Sequence, residues 1–285
     1  IFAAYELMKK KPECKIAVFE EGYPLEKRKC PIDGEKIKSC IRCKRCSIMC
    51  GFGGAGAFSD GKYNITNDFG GTLFEYIGKK QAVELMKYVD SVKSTYMKQL
   101  LYSFFKDETF AKKFKCVSAA KTVHHGFAGG LLEHSLSVTR LCDKMSSNYD
   151  FLNRDLLITC AMLHDVGKVK ELSEFPKNDY TDEGNFLGHI VIGYEMVMEK
   201  VKQIDGFPDM LAMQIGHCIL SHHGELEYGS PKKPSIAEAV ALSMADNMDA
   251  KLETLREALE AKDTNDWLGY NRWLDSNIRR TTNEF

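Results

Sequence analysis

What this chain lacks narrows it first. No stretch reaches the roughly 18 apolar residues needed to cross a bilayer, so no transmembrane helix and no membrane partner is expected. Nothing at the start reads as a signal peptide. No G-x-S-x-G elbow or Walker A sequence occurs, which argues against a serine hydrolase and a P-loop nucleotidase. Prolines number only 7 in 285 residues and 44% of the chain is hydrophobic, which excludes disorder as the dominant state. That length fits one large domain or two small ones. The first residue is Ile1, so the chain is expected to begin inside a longer reading frame.

The net charge of −1 conceals an asymmetry. Residues 1–88 carry 16 Lys and Arg against 11 Asp and Glu, while residues 89–285 carry 23 against 29. The acidic larger part is not a broad phosphate-binding surface, which needs clustered basic side chains. Of the 10 cysteines, five fall between Cys30 and Cys50. Without a signal peptide this placement suggests a reducing cytoplasm and a metal or redox cluster rather than disulfides.

Residues 1–24 read as a helix (IFAAYELMKK) followed by a buried strand (KIAVFEEG) with an acidic end. That is the second and third part of a dinucleotide-binding unit, whose strand and glycine turn would lie upstream of Ile1. Cys40, Cys43, Cys46 and Cys50 then follow the C-x₂-C-x₂-C-x₃-C spacing of iron–sulfur ligands, with Gly51 in place of the usual proline. The bland alternative is a set of reduced cysteines beside a glycine turn. The stretch CIRCKRCSIMCGFGGAGAFSDGKYN, with the flanking KIAVFEEG, resembles the FAD-dependent, NAD(FAD)-utilising dehydrogenase-like proteins. The resemblance covers roughly residues 1–88 and implies a truncated flavoprotein fragment, lacking the phosphate-cradling turn that FAD needs.

From about Asp90 helical patterns dominate. SVKSTYMKQLLYSFF and LLEHSLSVTRLCDKM carry apolar residues at helical spacing, and DLLITCAMLHDVGK reads as a central buried helix capped by Gly167. Ser235 and Glu238, after Pro234, form the pattern of a capping box opening a helix through Glu260.

All 8 histidines lie beyond residue 120. His134 sits in an apolar helix, His164-Asp165 ends the buried one, His189 follows a glycine, His222-His223 are adjacent, and Asp246 precedes Asp249 by one turn. Burying so many imidazoles and carboxylates is costly unless they pair or bind metal. Their nitrogen and oxygen donors suit Mn, Fe, Co, Ni or Zn. A single helical histidine is usually a core or surface residue, and His217 is read that way. Asp249 either orients a ligand or faces solvent. His124-His125 either touch substrate or form a surface loop, and Lys232-Lys233 either guides a phosphate backbone or is a solvated turn.

The order His … His-Asp … His … His-His … Asp, with AAKTVHHGFAGGLLEHSLSV, NRDLL, LHDVGKVKEL, YTDEGNFLGHI, LSHHGELEYGSPKKP and ADNMDAK, resembles the HD superfamily of metal-dependent phosphohydrolases. More narrowly it is similar to the HD domain of YhaM-type 3′–5′ exoribonucleases over about residues 90–285. The resemblance implies a mainly α fold, an HD helical bundle over 89–285 preceded by the truncated α/β fragment over 1–88. It implies His134, His164, Asp165 and Asp246 around a first metal, and His189, His222 and His223 around a second, with Asp165 bridging. Lys168 would join Asp165 in catalysis and contact the scissile phosphate; His125 is the further substrate-binding candidate, with the surface-loop alternative beside it. The implied cofactors are two divalent ions, Mn²⁺ foremost. The implied substrate is single-stranded RNA, with short oligonucleotides favoured by the acidic balance, and a homo-oligomer is an open possibility. A flavin or iron–sulfur oxidoreductase and a non-catalytic nucleotide-binding scaffold are the alternatives.

Overall fold

The computed structural model describes residues 9–11, 13, 27–32, 36–37, 39–44, 46, 78–120, 128–173, 177–261, 264 and 266–281. Its contacts divide the chain into two units, Ile1–Ile65 and Thr66–Phe285. In the first unit the helix and strand expected over residues 1–24, the glycine-rich turn and Cys50 lie largely or wholly outside the described residues. Cys40 is exposed and accepts a 3.5 Å hydrogen bond from the Arg42 N–H, while Cys43 and Cys46 are half-buried.

The second unit is mainly helical. Its helices are α1 (Lys79–Ser91), α2 (Thr95–Phe105), α3 (Glu108–Cys116), α4 (Gly130–Asn148), α5 (Arg154–Leu163), the single turn α6 (Lys168–Glu171), α7 (Asp182–Lys202), α8 (Asp209–Ser221) and α9 (Ala237–Glu260). The division expected between residues 88 and 89 falls inside α1. That helix turns Leu85 and Val89 into the same core as α4 and α5.

Local chemistry sets several of these boundaries. Asp107, Asn153 and Thr181 accept hydrogen bonds from backbone N–H groups of Phe110, Leu156 and Gly184, starting α3, α5 and α7. Every residue from Leu156 to Leu163 is buried, so α5 is the central helix, flanked by α4, α8 and α9. The Asp155 carboxylate accepts from the Lys93 and Ser94 N–H groups at 2.7 and 2.8 Å, tying the α1–α2 junction to the start of α5. Phe104, Phe105, Phe110 and Phe114 interlock with ring centroids 5.0–6.0 Å apart and close one end of the core.

Two local expectations are corrected. Gly167 is not a left-handed cap, because its φ of −63° is right-handed. It is needed for closeness instead: an added Cβ would lie 2.1 Å from the His189 carbonyl oxygen. No capping box opens α9. Its N-cap is Ile236, the Ser235 N–H is bonded to His217, and the Glu238 carboxylate accepts from the Asn153 N–H at 2.7 Å, clamping α9 to α5. Beyond α9 the sequence reading assigned nothing, and the structure places two short strands there. Trp267–Asn271 (β1) and Ser276–Arg279 (β2) pair as an antiparallel hairpin.

Candidate metal centre

Four packed helices and the turns that follow them bring the histidines together. His134 projects from the buried face of α4. His164 and Asp165 lie just past the end of α5, where the helix gives way to turns. His222 and His223 occupy the same position after α8. His189 lies inside α7, immediately after Gly188, whose φ of 71° and ψ of 155° break the helix. The freed His189 N–H donates to the Glu171 carboxylate at 2.9 Å. Asp246 and Asp249 lie on α9, one turn apart.

Asp165 is the centre of the arrangement, at 2% exposure. Its Oδ2 lies 3.5 Å from His134 Nε2 and 3.4 Å from His164 Nε2, and its Oδ1 lies 3.4 Å from His189 Nε2 and 3.7 Å from His222 Nε2. One carboxylate thus stands between two groups of donors. Asp246 Oδ1 joins the first, 3.1 Å from His134 Nε2 and 3.8 Å from His164 Nε2. His223 joins the second, its ring centroid 4.4 Å from that of His222 and 5.2 Å from that of His189. Within His134, His164 and Asp165, and again within His189, His222 and His223, one donor atom per residue lies within 4.8 Å of the others.

Each imidazole is turned the same way. The Nδ1 atoms of His134 and His189 face the carboxylates of Asp249 and Glu171 at 2.7 and 3.0 Å. Those of His164, His222 and His223 face the carbonyls of Ala161, Ile219 and Tyr228 at 2.8, 2.7 and 2.7 Å. With a proton on every Nδ1, every Nε2 lone pair is left for the centre, the arrangement that orients metal-binding histidines. His134 and His164 bring their Nε2 atoms to 3.3 Å, where two lone pairs repel unless a cation or proton lies between. Asp165 Oδ1, His189 Nε2 and His222 Nε2 are buried without a hydrogen-bond partner.

The electrostatics differ across the centre. Burial disfavours a charged His134, but Asp246 and Asp249 outweigh it and raise its pKa to about 9. Burial holds His222 well below the usual imidazole range, with the neighbouring His223 adding to the effect. His223 is lowered by burial and by His189. Burial opposes charge on Asp165, yet Lys168 and His164 hold its carboxyl well below the usual carboxylate value. Lys168 Nζ sits 2.6 Å from Asp165 Oδ2, and that charge outweighs burial and keeps the amine protonated.

Residues 131–251 match the model of the HD domain family. Every candidate metal ligand of the second unit lies within that HD span. The chain is 46% identical over 156 residues to the 3′-5′ exoribonuclease YhaM of Bacillus licheniformis, covering 53% of this chain and 48% of the relative. It is 46% identical over 153 residues to the Bacillus subtilis protein of the same name, covering 52% and 47%. Against the Bacillus pumilus protein the figures are 36% over 176 residues, 62% and 55%. The chain therefore spans about half the length of the relatives it matches. No solved structure matches it significantly.

Two positions beside the donors were not settled by the sequence reading of this HD segment. Glu171, which holds both the N–H and the ring of His189, looked like one more charged residue in KVKEL. Asp249 had been left open, and it is buried against His134, with the Ser137 hydroxyl donating to its other oxygen. Its position one turn after Asp246 was the available signal. His217 is more than packing, because its Nε2 accepts the Ser235 N–H at 2.8 Å. His124 and His125 lie outside the described residues.

Proposed function

We propose that this chain hydrolyses phosphodiesters with divalent metal ions, as a 3′–5′ exoribonuclease acting on single-stranded RNA or short oligonucleotides. One observation carries the reading: Asp165 presents its two oxygens to two separate groups of inward-turned imidazole nitrogens, and three of the atoms facing one another there are buried without hydrogen bonds. Such a nitrogen-rich set joined by carboxylates suits a divalent transition ion, Mn, Fe, Co, Ni or Zn, and the resemblance to the exoribonucleases puts Mn²⁺ foremost among them. His134, His164, Asp165 and Asp246 would hold one ion, and His189, His222, His223 and Asp165 a second. Ions bound there supply neutralisation of the phosphate oxygens and a water acidified to a pKa of roughly 7.

The chain's own groups do the rest. Asp165 stays ionised and fixes the separation of the two donor groups. At His134 the proton that its carboxylate neighbours favour would give way to an ion, and imidazole ligands would then add no charge, so the loaded site would remain positive toward a phosphate. Lys168, protonated and 13% exposed, holds a cation at the edge of the centre where charge develops during attack. No serine or cysteine nucleophile is required. The exoribonuclease relatives support the choice of RNA and of 3′-end attack. The test is release of labelled nucleotide from a 3′-labelled oligoribonucleotide with added Mn²⁺, set against His164→Ala and Asp165→Ala. Activity surviving both substitutions overturns the reading.

For residues 1–88 the flavoprotein-fragment reading and an iron–sulfur ligand set of Cys40, Cys43, Cys46 and Cys50 stay proposals. Flavin or cluster absorbance in the purified chain tests them. Cytoplasmic residence and a homo-oligomer are proposals of the same kind. Among the described residues no helix is long and apolar enough to cross a membrane.

A further inference from the structure

The C-terminal hairpin keeps three large aromatic side chains in water. Trp267, Tyr270 and Trp273 are 61%, 64% and 56% exposed. Two of them lie within arginine reach: the Arg279 guanidinium is 5.9 Å from the Trp267 ring centroid, and that of Arg272 is 4.6 Å from the Trp273 ring centroid.

The register explains how the rings line up. Trp267 pairs with Arg279 and Tyr270 with Asn277, and an irregularity between Trp267 and Gly269 takes up one residue. Cross-strand partners share a face, and Arg279 and Asn277 are two residues apart. Trp267 and Tyr270 therefore stand on one face despite their odd separation, about 7 Å apart along the strand. Leu268, in the irregularity, is buried instead. The Arg280 guanidinium donates to the Leu259 carbonyl, tying the hairpin to the end of α9. Asp246 lies about 20 Å back along that helix axis.

We propose that the face carrying Trp267, Tyr270, Asn277 and Arg279, with Arg272 and Trp273 exposed at the adjoining turn, is a platform for unpaired polynucleotide: bases stack on the rings and phosphates meet the guanidinium groups. Arg272, Arg279 and Arg280 outnumber the two acids of the hairpin, Asp266 and Asp275, and the Asp275 carboxylate is engaged by the Tyr270 hydroxyl. The charge thus suits an anionic strand locally, although residues 89–285 as a whole are acidic. Stacking on aromatic rings is tolerant of base identity and refuses paired bases. The role as a substrate grip rests on the exoribonuclease reading above; the binding itself does not.

The chain contains 2 tryptophans, Trp267 and Trp273, so its tryptophan fluorescence reports on this hairpin alone. The experiment titrates the full chain, freed of metal with EDTA, with a 12-nucleotide oligouridylate and with a blunt RNA duplex. Saturable quenching by the single strand, weakened by salt and absent with the duplex, is expected. A Tyr270→Ala variant, which leaves the fluorophores in place, should bind the strand about tenfold more weakly. In the presence of Mn²⁺ the same variant should lose activity on a 12-mer and keep it on bis(p-nitrophenyl) phosphate. Unchanged fluorescence with the single strand, or equal quenching by the duplex, overturns the platform. Quenching without any Mn²⁺-dependent hydrolysis leaves the platform standing and removes the exoribonuclease reading.

Discussion

The two donor groups that share Asp165 are built differently. His134, His164 and Asp246 meet in a buried, acidic setting: three carboxylates, those of Asp165, Asp246 and Asp249, surround His134 and raise its pKa to about 9. His189, His222 and His223 form a group with three imidazoles and, among its donors, only the shared Asp165 carboxylate, in which burial and mutual repulsion push His222 and His223 the other way. His189 and His223 are half-buried, whereas His134 and His164 are closed off. One group is closed off by the core and set among three carboxylates; the other is more open, with Glu171 against His189 and only Asp165 shared beside His222.

The largest effect should come from the residue the two groups share. Asp165→Ala is expected to cut hydrolysis of a labelled oligoribonucleotide by about a thousandfold or more, since both donor groups lose their common oxygen ligand. Metal analysis of that variant should show both ions weakened. A variant that kept one full equivalent of metal would show that the two groups are independent sites, breaking the comparison.

Removing one imidazole from each side should separate fold from function. His134→Ala leaves the carboxylates of Asp246 and Asp249 buried without their partner, which costs about 3–5 kcal/mol and lowers the melting temperature by about 10 °C. His223→Ala, at the open side, should leave the melting temperature of the metal-free chain nearly unchanged and still lose metal. Equal melting losses would mean that the openness of the second group plays no part.

Much of the helical unit was readable in the residues, and the reasons mark where reading stops. The α4 pattern LLEHSLSVTRLCDKM and the nearly apolar α5 carry their own period, and the α9 helix runs to Glu260 as its pattern implies. The order of histidines and aspartates singled out seven residues that the fold brings around one point. Glu171 could not be found this way. Its partner His189 is 18 residues away, and the contact depends on a helix break at Gly188 that periodicity cannot express. The capping box failed because tertiary partners took both halves of it: the Ser235 N–H went to His217 and the Glu238 carboxylate to the Asn153 N–H. The hairpin was missed because its alternation is interrupted at Leu268.

The residues that aim the imidazoles give the next, smaller effect. Asp249→Asn on the sealed side and Glu171→Gln on the open side keep size and lose charge. Each should weaken metal binding or activity by about 10–100-fold. Isothermal titration with Mn²⁺ checks this. If only Asp249→Asn has an effect, orientation matters less at the open side than the geometry implies.

The smallest effect concerns the loop beyond the open group. The Tyr228 carbonyl that holds His223 lies on the chain between α8 and α9, and His217 anchors the far end of that chain by accepting the Ser235 N–H. Burial, helped by Lys232, lowers the His217 pKa. A neutral imidazole is required there, because a protonated Nε2 has no lone pair to accept with. The unfolded chain takes up the proton near pH 6.5, before the folded one does. The contribution is therefore fully present above pH 6.5 and is lost as the pH falls through the lower, folded value. His217→Gln keeps an acceptor without a titrating group. The wild-type chain should lose slightly more melting temperature than this variant between pH 7 and pH 5, with no difference at pH 8. Identical profiles would free the loop from His217 and leave the Tyr228 carbonyl held by its backbone turn alone.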